Sequence, residues 1–357
     1  MKGAGEDMSD TGMKRASAET ASATEVSPPA SQGGTPERDG SRTLRIPRLG
    51  LDRFSGLYVL AMLIVVFGLW VPETFLSVNT FTGVASQLAI TAILALALLV
   101  PYAAGVFDLS VAANLGLSVV IVCKLQAEGL HPVLAVSLTL LFGAVIGAVN
   151  GFVIVGLRVD SFIGTLGMSS LLGGLIYWVS GNQQVTSGIS QRFIDLGQGS
   201  LLDIPLPVFY LAGVALVMGF VTEYRPFGRK LYATGGNELA ARLSGVQTSR
   251  LIVASLVISG TIAALAGVVF AAMIGSASLS AGPPFLLPAF AAVFLGATQI
   301  YPGRPNVLGT LVAVAVLGTG VKGLLLVGVQ FWVSDLFNGL TLILAVALAV
   351  RRGRGRS

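Results

Sequence analysis

Beyond Arg53 the chain is a succession of apolar stretches, broken by short polar or glycine–proline links, until the arginines that begin at Arg351. Such stretches leave few folds open. A backbone in hydrocarbon must satisfy its own N–H and C=O groups, and a helix does this within one segment. The runs fall near residues 57–71, 84–102, 109–124, 132–156, 161–180, 206–222, 251–274, 285–300, 306–321 and 331–350. Several are shorter than the ~20 residues that cross a bilayer unaided. Only AGVFDL parts 84–102 from 109–124, and Pro288 interrupts 285–300. Broken or partial helices are tolerated where other helices, not lipid, surround the loose backbone. The expectation is an all-α polytopic membrane protein of about ten transmembrane helices, nine or eight if partial helices re-enter. A charged fraction of 11% and a mean hydropathy of +0.83 agree, since a soluble domain carries about twice that charge. The 45 glycines suit helices that touch backbone to backbone.

Three regions follow. Residues 1–53 are rich in Ser, Thr, Gly, Pro and charge and read as a disordered cytoplasmic tail. No apolar core follows the early lysines, so no secretory signal peptide is expected. Residues 54–350 form the transmembrane domain, and 351–357 a basic cytoplasmic C-terminus. With the N-terminus inside, 19 of the 22 Lys and Arg fall on the inner side, leaving Lys124, Arg192 and Lys322 outside. The net charge of +5 therefore reflects topology, not nucleic-acid binding.

The inner segment 223–250 is the polar exception. It carries Arg225, Arg229, Lys230, Arg242 and Arg250 against Glu223 and Glu238, too much charge to lie in hydrocarbon. Asn237 can cap a short helix from Glu238 to Ser244, and Gly245 suits the left-handed residue that ends it. About two turns are not stable alone in water, so membrane helices or a partner must hold them. Ala240 and Ala241 are small enough to admit a partner's surface. The outer stretch 181–205, with Arg192 and Asp195, is either a docking loop or a solvated connector.

Catalysis and metal binding find no support. The single Cys123 can form no internal disulfide and no metal site with the lone His131, which reads as an outer-loop residue; no serine sits in a nucleophile motif, and no GxxxxGK[ST] phosphate loop occurs. No enzymatic role and no cofactor of its own are expected, and if transport is active and ATP-driven the engine must be a separate chain. Among intramembrane polar residues, Asp108 or Ser110 caps the helix that follows, or serves a gate. A carboxylate at the bilayer centre costs about 2.5–3.5 kcal/mol. Asp160 and Ser161 precede the helix at 161 and read as caps. Asn150, among Gly147, Ala148 and Gly151, either bonds a neighbouring helix or lines a pathway. Gln87, Asn114, Thr165 and Asn182 carry the same two readings. Trp70, Trp178 and Trp332 read as interfacial anchors.

The run FGRKLYATGGNELAARLSGV (Phe227 to Val246) resembles the cytoplasmic loop of permease subunits of ribose/xylose-type ABC importers, in the branched-chain amino acid/sugar permease superfamily. FDLSVAANLGLS (Phe107 to Ser118), VNGFVIVGLRVDSFIGTLGM (Val149 to Met168) and PAFAAVFLGAT (Pro288 to Thr298) resemble further segments of that family, over roughly 55–350 in all. The resemblance implies two helical halves of inverted topology in a bacterial inner membrane. It implies a second permease copy, identical or paralogous, cytoplasmic ABC ATPase subunits and an external substrate-binding protein. Phe227, Gly228, Arg229, Gly235, Gly236, Asn237, Glu238, Ala240, Ala241, Arg242 and Gly245 would then form the ATPase-coupling element. Asp108, Ser110, Asn114, Asn150, Thr165 and Asn182 are pathway candidates. The implied cargo is a small polar solute, a monosaccharide first, with branched-chain amino acids or nucleosides as the alternative and a stand-alone carrier as another. The chain departs from the pattern at Pro101 and Tyr102, at Ala112 and Ala113, and in FLLPAF (Phe285 to Phe290). These departures bear on substrate identity.

Overall fold

The structure is a computed structural model that describes residues 51–354. These belong to one compact unit, Leu49–Ser357; the other unit, Met1–Arg48, lies outside the described residues, and with it the expectation of a disordered tail. In chain order the elements are α1 (Leu51–Trp70), α2 (Pro72–Phe75), α3 (Val78–Ala103), α4 (Val111–Ala127), α5 (Pro132–Gly151), α6 (Ser161–Ser180) and α7 (Gln191–Gln198). A two-strand hairpin, β1 (Ser200–Leu201) and β2 (Ile204–Pro205), precedes α8 (Leu206–Gly219), α9 (Pro226–Gly236) and α10 (Glu238–Leu243). The chain then builds α11 (Thr248–Ile274), α12 (Pro283–Gly296), α13 (Val307–Leu326) and α14 (Trp332–Arg354). Helices α5 and α8 each end in one π-helical turn, Phe152–Gly156 and Phe220–Tyr224.

Six helical segments are long and apolar enough to cross a membrane: Thr80–Ala103, Pro132–Gly156, Ser161–Ser180, Leu206–Tyr224, Thr248–Ile274 and Val307–Leu326. Four apolar segments are shorter: Phe54–Trp70, Val111–Ala127, Pro283–Gly296 and Trp332–Ala347. The chain is thus a polytopic helical membrane protein. Helix α3 is apolar all round and buried at every residue from Ala89 to Val100, the mark of a helix enclosed by others. Helices α8, α11, α12 and α13 surround it, while α5, α6, α8 and α14 leave Leu, Ile, Val and Phe on their outer faces.

Backbone contact explains much of the glycine content. Gly143 and Gly147 of α5 lie against α11, where a Cβ on Gly143 would strike the Gly260 carbonyl and one on Gly147 the Leu256 carbonyl. Across the same seam, a Cβ on Gly260 would strike the Gly143 carbonyl. Between apolar helices in lipid, close approach of this kind replaces the hydrophobic drive that water supplies elsewhere.

Several boundaries differ from the sequence reading. Helix α1 begins at Leu51, within the stretch assigned to the tail, and bends at Phe54 (φ −109°). Residues 226–236 are helical, not loop, because Pro226 sits in the first turn, where its missing N–H costs nothing. The outer stretch 181–205 is no loose connector: α7 buries Phe193 and Gly197 against α11, and Asp195 accepts from Gln191 Nε2 (2.9 Å). Leu202 and Asp203 both take positive φ (54° and 62°), as a two-residue hairpin turn demands. Helix α13 runs on to Leu326, so Lys322 belongs to a helix and not to an outer loop. At the far terminus α14 continues through Arg354, carrying Arg351 and Arg352 in the helix.

Candidate functional site

At one end of the bundle α9 and α10 form a polar platform. Asn237 Oδ1 accepts from Ala240 N (2.9 Å), capping α10, and Gly245 closes it at φ 81°. Glu238 takes two bonds, from Arg242 Nη2 (2.6 Å) and from the Thr248 hydroxyl (3.1 Å), tying α10 to the first turn of α11. A partly exposed i,i+4 pair of this kind contributes only about 0.3–0.5 kcal/mol; its main effect is to orient α10. Arg229, Gly236, Asn237, Glu238, Ala240, Arg242 and Gly245 are exposed. Gly235 is exposed too, while other members of the expected coupling set, and the side of Gly235 where a Cβ would stand, face inward. A Cβ on Gly228 would strike the Thr222 carbonyl, and one on Gly235 the Ala103 carbonyl at the end of α3. Phe227 packs on the core and Ala241 is buried. Ala241 therefore gives a partner no surface, because α10 must rest on the protein somewhere, and it rests there. The outward apolar groups are Leu239 and Leu243, 67% and 82% exposed and one turn apart. Their i,i+4 spacing was the available signal.

A brace joins this platform to the link between α12 and α13. Arg304 donates to Glu223 Oε2 (2.6 Å) while its guanidinium lies 4.9 Å from the ring centroids of both Tyr232 and Tyr301. Tyr232 donates to the Pro305 carbonyl (2.9 Å). Burial, then the Glu223 charge, pushes the Tyr232 phenol up to about 12, with Arg304 pulling the other way. The phenol therefore keeps its proton and its hydrogen bond at physiological pH. Residues 81 positions apart made this unit invisible in the sequence.

Deeper in the bundle a polar cluster gathers at the link between α3 and α4. Asp108 Oδ1 accepts from the Ser110 hydroxyl (2.6 Å) and Ser110 N (3.1 Å), and Oδ2 accepts from Ser259 Oγ on α11 (3.0 Å). Asn150 Nδ2 donates to Ser110 Oγ (2.8 Å), while Asn150 Oδ1 has no partner among the described residues. Thr165 Oγ1 accepts from Leu109 N (3.0 Å) and donates to Ser161 O (2.7 Å). Asn114 bonds the Gly260 carbonyl (3.0 Å). Neither expected cap at α4 forms. Ser110 holds the N-cap position with no side-chain cap, because its hydroxyl is held between Asp108 and Asn150. Asp160 does cap α6, accepting from Phe162 N and Ile163 N. On the α12 side, Tyr102 and Phe107 close over the link with Phe294, at 4.9 and 6.3 Å between centroids.

Five of the six pathway candidates, Asp108, Ser110, Asn114, Asn150 and Thr165, are thus buried in one region. Asn182 is not. It follows α6 at φ 60°, exposed, at the opposite end of that helix from Thr165. Ser259 was missed, though Ser255 and Ser259 one turn apart in an apolar helix were its trace. His131, read as an outer-loop residue, caps α5 by accepting from Val133 N.

A helical bundle with an enclosed central helix, a buried polar link and a charged platform at one end is the build of a membrane transporter component. The chain belongs to the family described as branched-chain amino acid transport system / permease component, which matches residues 80–346. It is similar to the D-allose transport system permease protein AlsC of Escherichia coli, 33% identical over 83% of this chain and 91% of that one. It is also similar to the ribose import permease protein RbsC of Bacillus subtilis, 33% identical over 84% and 92%. The autoinducer 2 import system permease protein LsrD of Yersinia enterocolitica is 30% identical over 81% and 90%. No solved structure matches the chain. The chain is a transporter permease subunit, not an enzyme.

Proposed function

We propose that this chain forms the translocation pathway of an ATP-driven importer for a monosaccharide, with ATP hydrolysed on a separate chain that docks on α9 and α10. The observation that carries the reading is the pair Leu239 and Leu243, apolar and unburied on a helix otherwise fully capped and tethered. The sugar assignment is supported by relatives whose names specify D-allose and ribose import. An external binding protein delivers the solute, and two permease copies, identical or paralogous, enclose the path. The platform and both termini face the cytoplasm, in keeping with the cluster of Arg and Lys there. The six long and four shorter apolar segments make ten crossings. Two inverted halves are supported by the order of parts. Long α3 and α11 are each followed by a non-helical link and a shorter helix, α4 or α12, which packs on the next two helices.

The test is co-purification from cells that express the partner genes. Wild type brings down an ATPase chain, and Leu239→Asp with Leu243→Asp loses it at unchanged membrane yield. Nucleotide-independent D-ribose uptake by the chain alone in liposomes would sink the reading.

A further inference from the structure

Away from the buried cluster, α3, α12, α13 and α14 line an open cavity of about 280 Å³, at which Gln87 and Asp335 are exposed. Six polar side chains line it: Gln87 and Thr91 of α3, Lys322 of α13, and Ser334, Asp335 and Asn338 of α14. Among the described residues none of the six side chains has a hydrogen-bond or ion-pair partner, although Thr91 and Asn338 are buried. The rest of the lining is apolar: Phe285, Pro284 and Pro288 of α12, with valines and leucines of α3 and α13.

The cavity lies far from the platform. Gly235 of α9 seats against the end of α3 at Ala103, and Gln87 is sixteen residues back along α3, about 24 Å. Lys322 is likewise sixteen residues along α13 from Asn306, which neighbours the Arg304 brace, again about 24 Å.

Thr91 and Asn338, buried without a protein partner, call for something polar to meet them. At ~30 Å³ per water the space holds about nine waters, or one monosaccharide. Its chemistry selects between kinds of solute. One ammonium and one carboxylate balance, so the lining favours neither an anion nor a cation. Two amides and two hydroxyls supply donors and acceptors together, which suits a solute carrying many hydroxyls. An apolar solute, such as a leucine side chain, would leave most of these groups unmet. The Phe285 ring and the prolines suit the C–H face of a sugar ring.

We propose that this cavity is a binding site for an uncharged polyhydroxylated solute of monosaccharide size, entered from the end of the bundle opposite α9 and α10. The assignment deepens the sugar-import reading and rests on it for its place in transport. It puts specificity within the permease, at residues separate from the Asp108 cluster.

The experiment follows modification of Asn338→Cys, in a Cys123→Ala background, by a membrane-impermeant methanethiosulfonate in sealed cells. D-ribose, D-allose or L-leucine is added at millimolar concentration, and Gln183→Cys, exposed beyond α6, is the control. The expected result is labelling from outside, slowed at least threefold by one of the sugars, not by leucine, with the control unaffected. Absence of outside labelling, equal rates with and without every sugar, or slowing by leucine alone would overturn the site. ATP-driven uptake of the same two sugars by the assembled wild-type importer is measured alongside. Uptake without protection overturns the site alone; protection without uptake overturns the import reading alone.

Discussion

Asp108 accepts three hydrogen bonds from Ser110 and Ser259 and is 1% exposed, whereas its sequence neighbours suggested a helix cap or a gate and named none of the partners on α11. The other half of its environment comes from Ser259, 151 positions away, and from Asn150 acting through Ser110. Removing the acceptor orphans three donors in a dry interior, at about 1–3 kcal/mol for each one left unpaired. Asp108→Ala is therefore expected to lower the thermal midpoint of the detergent-solubilised protein by several degrees. Ser259→Ala, which leaves Asp108 its two Ser110 bonds, should lower it less. Equal midpoints for both variants and wild type would refute the cluster's structural weight. At this scale residue type was legible and partnership was not. An amide or carboxylate in an apolar run announces that it needs a partner, but nothing local names that partner.

Among the elements, α10 was the most legible, because its cap, length and stop all lie within Asn237 to Gly245. Asn237→Ala removes the Ala240 N–H bond and should cost about 1 kcal/mol, seen as faster amide exchange confined to α10. Exchange unchanged there would mean that Glu238 and Ala241 hold the helix without its cap. The face of α10 was misjudged for a physical reason. Small residues permit approach from either side, and here the protein's own body took Ala241. The α5–α11 seam behaves differently. Gly260→Leu must push a side chain into the Gly143 carbonyl, and overpacking of this kind costs typically about 1–3 kcal/mol. Lower yield and an earlier thermal transition are expected, whereas Gly213→Leu, on α8 with open space around it, should be tolerated.

For the molecule as a whole, the brace of Glu223, Arg304 and Tyr232 is the contact through which movement of the platform would reach the α12–α13 link. Arg304→Gln should leave ATPase co-purification intact but reduce solute moved per ATP hydrolysed, measured in proteoliposomes. An unchanged ratio would show that the brace is only architectural. The helical membrane class, the span-forming stretches and the charged platform could be read from the chain itself, since each depends on local composition set against the cost of burying polar groups in lipid. The polar cluster, the inward turn of Gly228 and Ala241, the docked α7 and the cavity around Lys322 required the tertiary structure. In lipid every helix is apolar, so hydropathy cannot say which face meets which neighbour. That choice is made by backbone fit at glycines and by hydrogen bonds between residues far apart in the chain.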